Sequence, residues 1–406
     1  MARDLSFDRV IAFAQSLVRI PSPPGGESDV ADRTRRELEE LGFDDVWLDG
    51  AGNVIGRIRG RGEAPPVMLS CHLDVVDVGD PAGWEFEPFG GILDGGFLHG
   101  RGAMDIKGPL AIQTYAAASF VEHRPAGDVI VAHTVLEERG GWGMEHLLDQ
   151  GEVKPGAVII GEATQGDICI GHRGRAELLV EIDGVAGHAS APDRAHNPVF
   201  ALAIVLPAIA AFGEQLGSDP VLGKATLAPT AIETRPTSHN VIPDLVRIVI
   251  DWRVLPDTTA DAAAERLARW LGQHTPLPEP YQLRVSYAGE QQHTWTGLER
   301  DRRLYTPGFL MSADHPVVAA AAAAIAANAP RPPAVRPWTF ATDGGHTCGV
   351  HGIPTIGFAP GEERFAHTNR ERLALDSARS AYAAYPALIA AVQAASVSAR
   401  PDQPQP

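Results

Sequence analysis

The sequence contains few features of a secreted, membrane-bound or nucleic-acid-binding protein. Only three of its 406 residues are cysteines, with no CxxC spacing, which disfavours a disulfide framework. Lys and Arg number 34 against 51 Asp and Glu, and the net charge of −17 disfavours binding to nucleic acid or to an anionic membrane surface. No uncharged apolar run approaches the length that spans a bilayer, and the N-terminus lacks a signal-peptide profile. We therefore expect a cytoplasmic protein with free, buried thiols.

Several catalytic motifs are also missing. No GxGxxG follows a strand, and GxxxxGK[ST], HExxH and GxSxG do not occur. These absences disfavour dinucleotide-dependent enzymes, P-loop NTPases, HExxH zinc proteases and serine hydrolases of the nucleophile-elbow type. Gly100-Arg101-Gly102 approaches a dinucleotide loop, but Asp105 stands where the third glycine is required.

At three places, a strand-like apolar run is followed by residues whose side chains can bind a metal. The runs are 66–71 before His72, 129–132 before Glu137 and Glu138, and 157–161 before Glu162. In open α/β sheets the carboxyl ends of the strands form the ligand-binding crevice, so these side chains can converge there. Imidazole and carboxylate ligands without a cysteine cluster suit catalytic zinc or a neighbouring first-row metal. The sequence thus predicts a metal-dependent hydrolase.

The order of segments predicts an α/β fold with an insertion. The chain begins with apolar residues at helical spacing and continues to about residue 170 with alternating strand-like and helix-like segments. This order indicates a mixed, mostly parallel sheet covered by helices. A β-α-β-β-α-β order follows, which indicates a ferredoxin-like α+β unit. Its segments are strand 176–183, helix 196–215, strands 225–234 and 245–254, helix 258–273 and strand 281–288.

We predict three regions from this order. Residues 1–174 and 290–395 form a discontinuous catalytic domain, and residues 175–289 form the inserted domain. Within the catalytic domain, the Ala-rich stretch 316–329 is interpreted as a buried helix. Residues 396–406 are expected to form a disordered tail because Pro and polar residues predominate.

Seven short motifs occur in a fixed order: 72–74, 100–108, 137–138, 161–164, 187–192, 240–243 and 366–368. Together they resemble the M20 metallopeptidase family, which includes acetylornithine deacetylase, succinyl-diaminopimelate desuccinylase, aminoacylase and glutamate carboxypeptidase. The likeness extends from about residue 10 to 375 and includes the inserted domain. It is therefore much more specific than any one motif.

The resemblance implies two divalent metal ions per chain, most simply zinc, with cobalt or manganese as alternatives. Asp105 would bridge the two ions. His72 and Glu162 would complete one site, and Glu138 and His367 would complete the other.

Two further acids stand beside these ligands. Glu137 is the general base by resemblance, and a carboxylate next to a ligand can deprotonate water and later protonate the leaving amine. Taken alone, an adjacent pair of Glu residues is more typical of a solvated turn. Asp74 lies two residues beyond His72, points the same way along a strand, and would orient that imidazole.

The resemblance also assigns residues to the substrate. His188 would donate a hydrogen bond to the developing oxyanion from the partner subunit of a homodimer, whereas a loop histidine that caps a helix is the alternative. Arg173, Asn240 and Arg253 match positions that hold the substrate carboxylate, a task that suits the planar guanidinium. Gly361 would let the backbone approach the substrate or would form a plain turn. For Arg253, a structural ion pair with Asp251 or Glu265 is the competing interpretation.

The expected activity is hydrolysis of the amide bond of a small N-acyl amino acid with a free carboxylate. The preference for deacylation rests on the likeness of 171–174 and 240–243 to the deacetylase and desuccinylase branch. The alternatives are a dipeptidase or carboxypeptidase of the same family and a non-catalytic binding protein. Ala163, Leu136 and Ala359 depart from the usual residues without touching a ligand, so they put the substrate in question.

Overall fold

The structure, a computed structural model, describes residues 4–398. Its contacts divide the chain into two compact units. The first unit extends to Gly171 and includes Gln292–Arg300 and the chain from Leu310 onward, and the second comprises His172–Gln291 and Asp301–Phe309. The second unit thus extends beyond the predicted insertion, because the Tyr305–Thr306 strand pairs with its Gly174–Asp183 strand.

Eight α-helices lie within the described range. They are α1 (Phe7–Val18), α2 (Ser28–Glu40), α3 (Lys107–Ala118), α4 (Trp142–Asp149), α5 (Leu202–Glu214), α6 (Ala260–His274), α7 (Pro316–Asn328) and α8 (Leu375–Ser398). Short 3₁₀ helices occupy Pro81–Gly83, Pro192–Arg194, Pro198–Ala201 and Glu363–Phe365, and a π-helical turn occupies Gly345–Val350.

The first unit is built on an eight-stranded sheet. Across the sheet the strands are Asp45–Leu48, Val54–Ile58, Val129–Thr134, Val67–His72, Ala157–Ile160, Thr355–Gly357, Ile168–Cys169 and Val335–Arg336. The four strands from Val129–Thr134 to Thr355–Gly357 run parallel to one another. This arrangement confirms the predicted mixed, mostly parallel sheet.

The central strands are buried on both faces. Every residue of Val67–His72 and Val129–Thr134 is buried, as expected for strands covered by helices on each side. Helix α3, buried along its whole length, contacts both strands, and α2 and α8 also contact the sheet. Rigid strands therefore fix the positions of the polar residues that follow them.

A small sheet positions the loop that carries His367. Its strands are Ile92–Asp94, Phe97–His99 and Arg372–Ala374, and Arg372 pairs with His99. Four further strands include the residues at which the chain passes from one unit to the other. They are Gly171–His172, Gly289–His293, Glu299–Arg303 and Phe309–Leu310.

The second unit is built on a five-stranded antiparallel sheet. Its strands, in order across the sheet, are Thr226–Arg235, Leu245–Val254, Gly174–Asp183 and Gln282–Tyr287, with Tyr305–Thr306 also paired to Gly174–Asp183. Helices α5 and α6 pack on it, and apolar residues of both helices share one core with the strands. Short two-residue strands are Gly187–His188 with Val241–Ile242, and Ser218–Asp219 with Gly223–Lys224.

Two helices differ from their sequence predictions. The helix predicted over 196–215 begins as an α-helix only at Leu202, because Asn197 accepts from the Val199 N–H and starts a 3₁₀ turn at Pro198. Helix α7 buries one face only, at Val317, Val318, Ala321 and Ile325. Since alanine tolerates both burial and exposure, composition alone did not reveal the exposed face.

Helix α8 corrects the expectation about long apolar runs. By length and composition, 23 of its residues, Leu375–Val397, are apolar enough to cross a membrane. Its side chains Tyr385, Leu388, Ile389 and Val392 are fully buried within the first unit. These four side chains pack in the core of that unit. The helix also includes residues 396–398 of the predicted tail, and residues 399–406 lie outside the described residues.

Candidate metal centre

All five predicted ligands come together in the first unit. They are His72 at the end of its strand, Asp105 before α3, Glu138 after the Val129–Thr134 strand, Glu162 after the Ala157–Ile160 strand, and His367 before the Arg372–Ala374 strand. The carboxyl ends of three neighbouring parallel strands thus provide His72, Glu138 and Glu162, as the α/β rule predicts.

Asp105 lies between two groups of ligands. Its Oδ1 is 3.2 Å from Nε2 of His72, which is also 3.3 Å from Oε1 of Glu162. Its Oδ2 is 3.3 Å from Nε2 of His367, which is also 3.1 Å from Oε1 of Glu138. Each Asp105 oxygen therefore faces a different imidazole, which is the arrangement needed to bridge two cations.

The side chains of the centre carry more negative charge than its two histidines can balance. Burial and the nearby Asp105 carboxylate raise the pKa of Glu162 to about 7. Burial, together with neighbouring carboxylates, raises the pKa of Glu137 well above its usual value. Hydrogen bonds with Asp105 and Glu138 raise the pKa of His367 to about 10. Cations in the centre would relieve this repulsion, because buried charges must be paired.

Divalent cations also fit the donor set and its spacing. His72, Glu137 and Glu162 offer ligand atoms within 4.8 Å of one another, and so do His72, Asp105 and Glu138. Ligand atoms about 2.1 Å from one ion lie up to about 4 Å apart, so small movements suffice for coordination. Imidazole with carboxylate is the donor set of catalytic zinc sites.

Glu137 stands next to these ligands. Its side chain is only partly buried, and its carboxylate belongs to the group formed with His72 and Glu162. A carboxylate held beside a metal centre can accept a proton from water there. Its role as a base and not as a third carboxylate ligand remains a prediction.

Asp74 supports the centre in a different way from the one predicted. Nδ1 of His72 donates to the main-chain carbonyl of Asp74 at 2.8 Å, whereas Oδ1 of Asp74 is 3.6 Å from the same nitrogen. The carboxylate instead accepts from the N–H groups of Glu137 at 3.1 Å and Glu138 at 3.0 Å. The carbonyl thus orients His72 and leaves Nε2 free to coordinate, while the side chain holds the 137–138 segment.

Glu371 is a supporting residue that the sequence analysis did not single out. Its Oε1 accepts from the N–H groups of Met104 and Asp105, both at 3.1 Å, and its Oε2 pairs with Nη1 of Arg101 at 2.6 Å. Glu371 and Arg101 are both buried. In the sequence, the only hint of this role was that Glu371 lies four residues after His367. Glu371 and Asp105 are 266 residues apart, so the spacing of residues could not reveal their contact.

Within the second unit, two predicted substrate residues lie together. His188 and Asn240 meet where Gly187–His188 pairs with Val241–Ile242, and the N–H of Ala189 donates to the carbonyl of Asn240 at 3.0 Å. Both side chains are exposed. Nδ1 of His188 accepts from the N–H of Ser190 at 3.1 Å, which is the direction of a capping contact and also orients the imidazole.

The two predicted substrate arginines have partners inside the second unit. Arg253 pairs with Asp251 at 2.8 Å, which is the competing interpretation given above. Asp251 also pairs with Arg175 at 2.7 Å. Arg173 donates to the carbonyl of Lys224 at 2.7 Å. A substrate-binding role for Arg173 and Arg253 stays a prediction.

Gly361 lies in the first unit at a position that requires glycine. Its φ is +107°, and a Cβ there would lie 2.4 Å from Cγ of Met104 and 3.5 Å from Cβ of Ala163. Met104 precedes Asp105 and Ala163 follows Glu162, so the glycine lets its loop pack behind two ligands. This packing requirement is separate from the predicted substrate contact.

Of the three free cysteines, Cys71 and Cys169 are buried and Cys348 is partly buried. Cys71 Sγ contacts Oε1 of Gln113 at 3.3 Å. That Cys71 is not a ligand stays a prediction.

Replacing the bridging residue should disrupt both sites at once. In Asp105→Ala, both imidazoles lose their shared carboxylate, so metal content and melting temperature should fall together, since bound metal stabilises the fold by mass action. Elemental analysis and thermal unfolding with and without chelator measure this. Asp94→Ala, an exposed aspartate on a nearby strand, is the control. Two metals per chain in Asp105→Ala would contradict the bridging role.

Known proteins resemble this chain in sequence and in fold. The sequence profile of peptidase family M20/M25/M40 matches residues 68–391. An uncharacterized Escherichia coli K12 protein, YgeY, is 32% identical over 375 residues, covering 91% of each chain. A succinyl-diaminopimelate desuccinylase of Cereibacter sphaeroides is 34% identical over 274 residues, 64% of this chain and 70% of its own length.

A solved structure agrees with the fold. The YXEP protein of Bacillus subtilis, described as a dinuclear metal-binding peptidase of the M20 family, superposes with a TM-score of 0.69 at 17% identity. The match covers 96% of this chain and 98% of that protein. With its profile match, its relatives and its ligand geometry, this chain belongs to the M20/M25/M40 peptidase family and is a metal-dependent hydrolase of amide or peptide bonds.

Proposed function

We propose that this protein is a dinuclear amidohydrolase that removes the acyl group from a small N-acyl amino acid carrying a free carboxylate. The observation that carries the proposal is the position of Asp105, with its two oxygens 3.2 and 3.3 Å from two different imidazoles. The identity to a desuccinylase supports an acyl amino acid as the substrate class.

The residues that would hold the two ions divide around Asp105. His72 and Glu162 would bind one, and Glu138 and His367 the other. Zinc suits these donors, and cobalt or manganese are the alternatives. When bound, the metals polarise the substrate carbonyl and lower the pKa of water to about 7.

Glu137 would carry the proton through the reaction. Its position beside His72 and Glu162 suits a carboxylate that accepts a proton from the attacking water and returns it to the leaving nitrogen. The amide held by Asp74 keeps the main chain of Glu137 fixed, so its carboxylate stays beside the ligands.

His188 would stabilise the oxyanion from the partner subunit. Because a main-chain N–H donates to its Nδ1, the neutral imidazole carries its proton on Nε2. Nε2 is then a hydrogen-bond donor, which is what an oxyanion requires. Arg173, Asn240, Arg253 and Gly361 remain the proposed contacts to the substrate carboxylate and backbone.

A homodimer is supported by the exposed edge of the second unit. The strand Thr226–Arg235 pairs with Leu245–Val254 on one side only, and every one of its residues except Leu227 is exposed. An unpaired ten-residue edge can pair with a second copy, and two-fold dimers are the commonest closed assemblies.

A second candidate function is dipeptidase or carboxypeptidase activity, which the likeness in fold to a dinuclear peptidase favours. A screen separates the two. The protein, loaded with zinc, cobalt or manganese, is assayed for release of free amino acid from N-acetyl, N-succinyl and N-carbamoyl amino acids and from dipeptides. We expect turnover of an N-acyl amino acid.

The Glu137→Ala protein, prepared in the same way, controls for contaminating hydrolases. Turnover of dipeptides alone would favour the peptidase. Absence of any turnover in a protein with two metals per chain would favour the non-catalytic binding protein.

A further inference from the structure

The loop between α1 and α2 is tied to two ligand-bearing segments. Ser22 Oγ donates to the carbonyl of Leu73 at 2.8 Å, and the carbonyl of Ser22 accepts from the N–H of Val75 at 2.9 Å. At the other end of the loop, Oε1 of Glu27 accepts from the N–H of Leu136 at 3.2 Å. Both Ser22 and Glu27 are 0% exposed. This loop therefore connects the segment after His72 with the segment before Glu137.

Three consecutive amides around the proposed base donate to buried carboxylates. The N–H of Leu136 donates to Glu27, and those of Glu137 and Glu138 donate to Asp74. Leu136 has a φ of +56°, in the left-handed region. Successive N–H groups in such turns can form an anion-binding site, a nest. Here two protein carboxylates accept from the three N–H groups.

We propose that Glu27 is a positioning residue for catalysis, which fixes the main chain at Leu136 and thereby aims the Glu137 carboxylate. The inference rests on the proposed role of Glu137 as the base. Glu27 is not among the described groups that could hold a metal, and its contact with the segment of the base is the Leu136 amide. Neither the family motifs nor the ligand set includes Glu27.

The physical reason is the strained conformation of Leu136. A leucine avoids the left-handed region because its Cβ approaches the following carbonyl, so this turn persists only where surrounding contacts hold it. Without Glu27, the buried Leu136 N–H has lost its acceptor and the turn can relax. Glu137 is the next residue, so relaxation moves the base first.

The test compares two kinds of substitution at Glu27. Glu27→Leu removes the acceptor at similar size, whereas Glu27→Gln keeps Oε1 as an acceptor. Outer partners of a metal centre typically contribute about 10–100-fold, and we expect a loss of this size in kcat for Glu27→Leu, with KM and metal content unchanged. Glu27→Gln should retain most of the wild-type kcat.

Glu37→Leu is the matched control. Glu37 lies on α2, is 2% exposed, and pairs with Arg33 at 2.7 Å and with the hydroxyl of Tyr115, away from the centre. It should lower the melting temperature without lowering kcat. If Glu27→Leu does not fold, Glu27→Asp, which keeps the charge but shortens the reach, replaces it with the same expected loss.

A second measurement is independent of activity. Hydrogen exchange of the metal-free protein should accelerate in the peptide containing Leu136 for Glu27→Leu but not for Glu27→Gln, while the peptide containing Glu162 stays unchanged. This result stands even if the wild-type protein hydrolyses no acyl amino acid, so it separates failure of the proposed function from failure of this inference.

Four outcomes in kcat and metal content would each overturn the inference. They are an unchanged kcat in Glu27→Leu, an equal loss in Glu27→Gln, an equal loss in Glu37→Leu, and loss of metal in step with activity. Exchange at Leu136 that is the same in the wild type and in Glu27→Leu would also overturn it, because the amide would then not be held by Glu27.

Discussion

Glu137→Ala is expected to lose most turnover while it retains two metals per chain. Glu137 lies beside His72 and Glu162, and burial holds its pKa above that of an exposed glutamate. Removal of a general acid–base group costs about 10²–10⁴-fold in rate, and the loss here should reach at least this size. Turnover of the best substrate from the screen and elemental analysis on the same preparation measure both properties.

Glu152→Ala is the control for this substitution. Glu152 is exposed, and its carboxylate accepts from Nε1 of Trp47 at 3.0 Å, outside the ligand set. Its kcat should stay near the wild-type value. Near-normal turnover in Glu137→Ala with both metals bound would contradict the assignment of Glu137 as the general base. A single metal per chain in that variant would instead make Glu137 a ligand.

Mixed dimers of Glu137→Ala and His188→Ala chains are expected to regain activity that neither variant has alone. If the partner subunit supplies His188, one of the two sites in the heterodimer combines an intact Glu137 with an intact His188. Random exchange at equal amounts makes about half of the dimers mixed, so about a quarter of wild-type activity should return in a two-fold dimer. Each homodimer contains no complete site.

Native mass spectrometry of mass-tagged chains verifies that subunits have exchanged. Mixing Glu137→Ala with Asp105→Ala is the negative control, because both residues belong to the same unit of one chain and no complete site can form. Verified heterodimers without regained turnover would show that His188 acts within its own chain or serves structure alone.

The sequence was sufficient to predict the fold class, the family and the chemical class of the reaction. Apolar runs that end in His72, Glu138 and Glu162 predicted parallel strands with ligands at their carboxyl ends, and the first unit has this arrangement. Such predictions succeed because strand burial and residue type are local properties, and the rule that places ligands at strand ends is a property of the sheet.

The sequence was not sufficient where long-range contacts decide a side chain's partner. The Arg253 ion pair with Asp251 was one of two open interpretations, and the Asp74 carboxylate bonds to 137–138 and not to His72. In both cases several partners were compatible with spacing. Only the fold fixes which is within reach, because a hydrogen bond tolerates a few tenths of an ångström.

The sequence by itself determined which residues can bind metal and which strands carry them, since ligand chemistry and burial follow from residue type. The tertiary structure alone decided that Asp105 faces two imidazoles, and that Glu371 and Glu27 hold the segments of the centre from 266 and 109 residues away. These contacts exist because buried amides must find acceptors, and folding brings distant carboxylates to them.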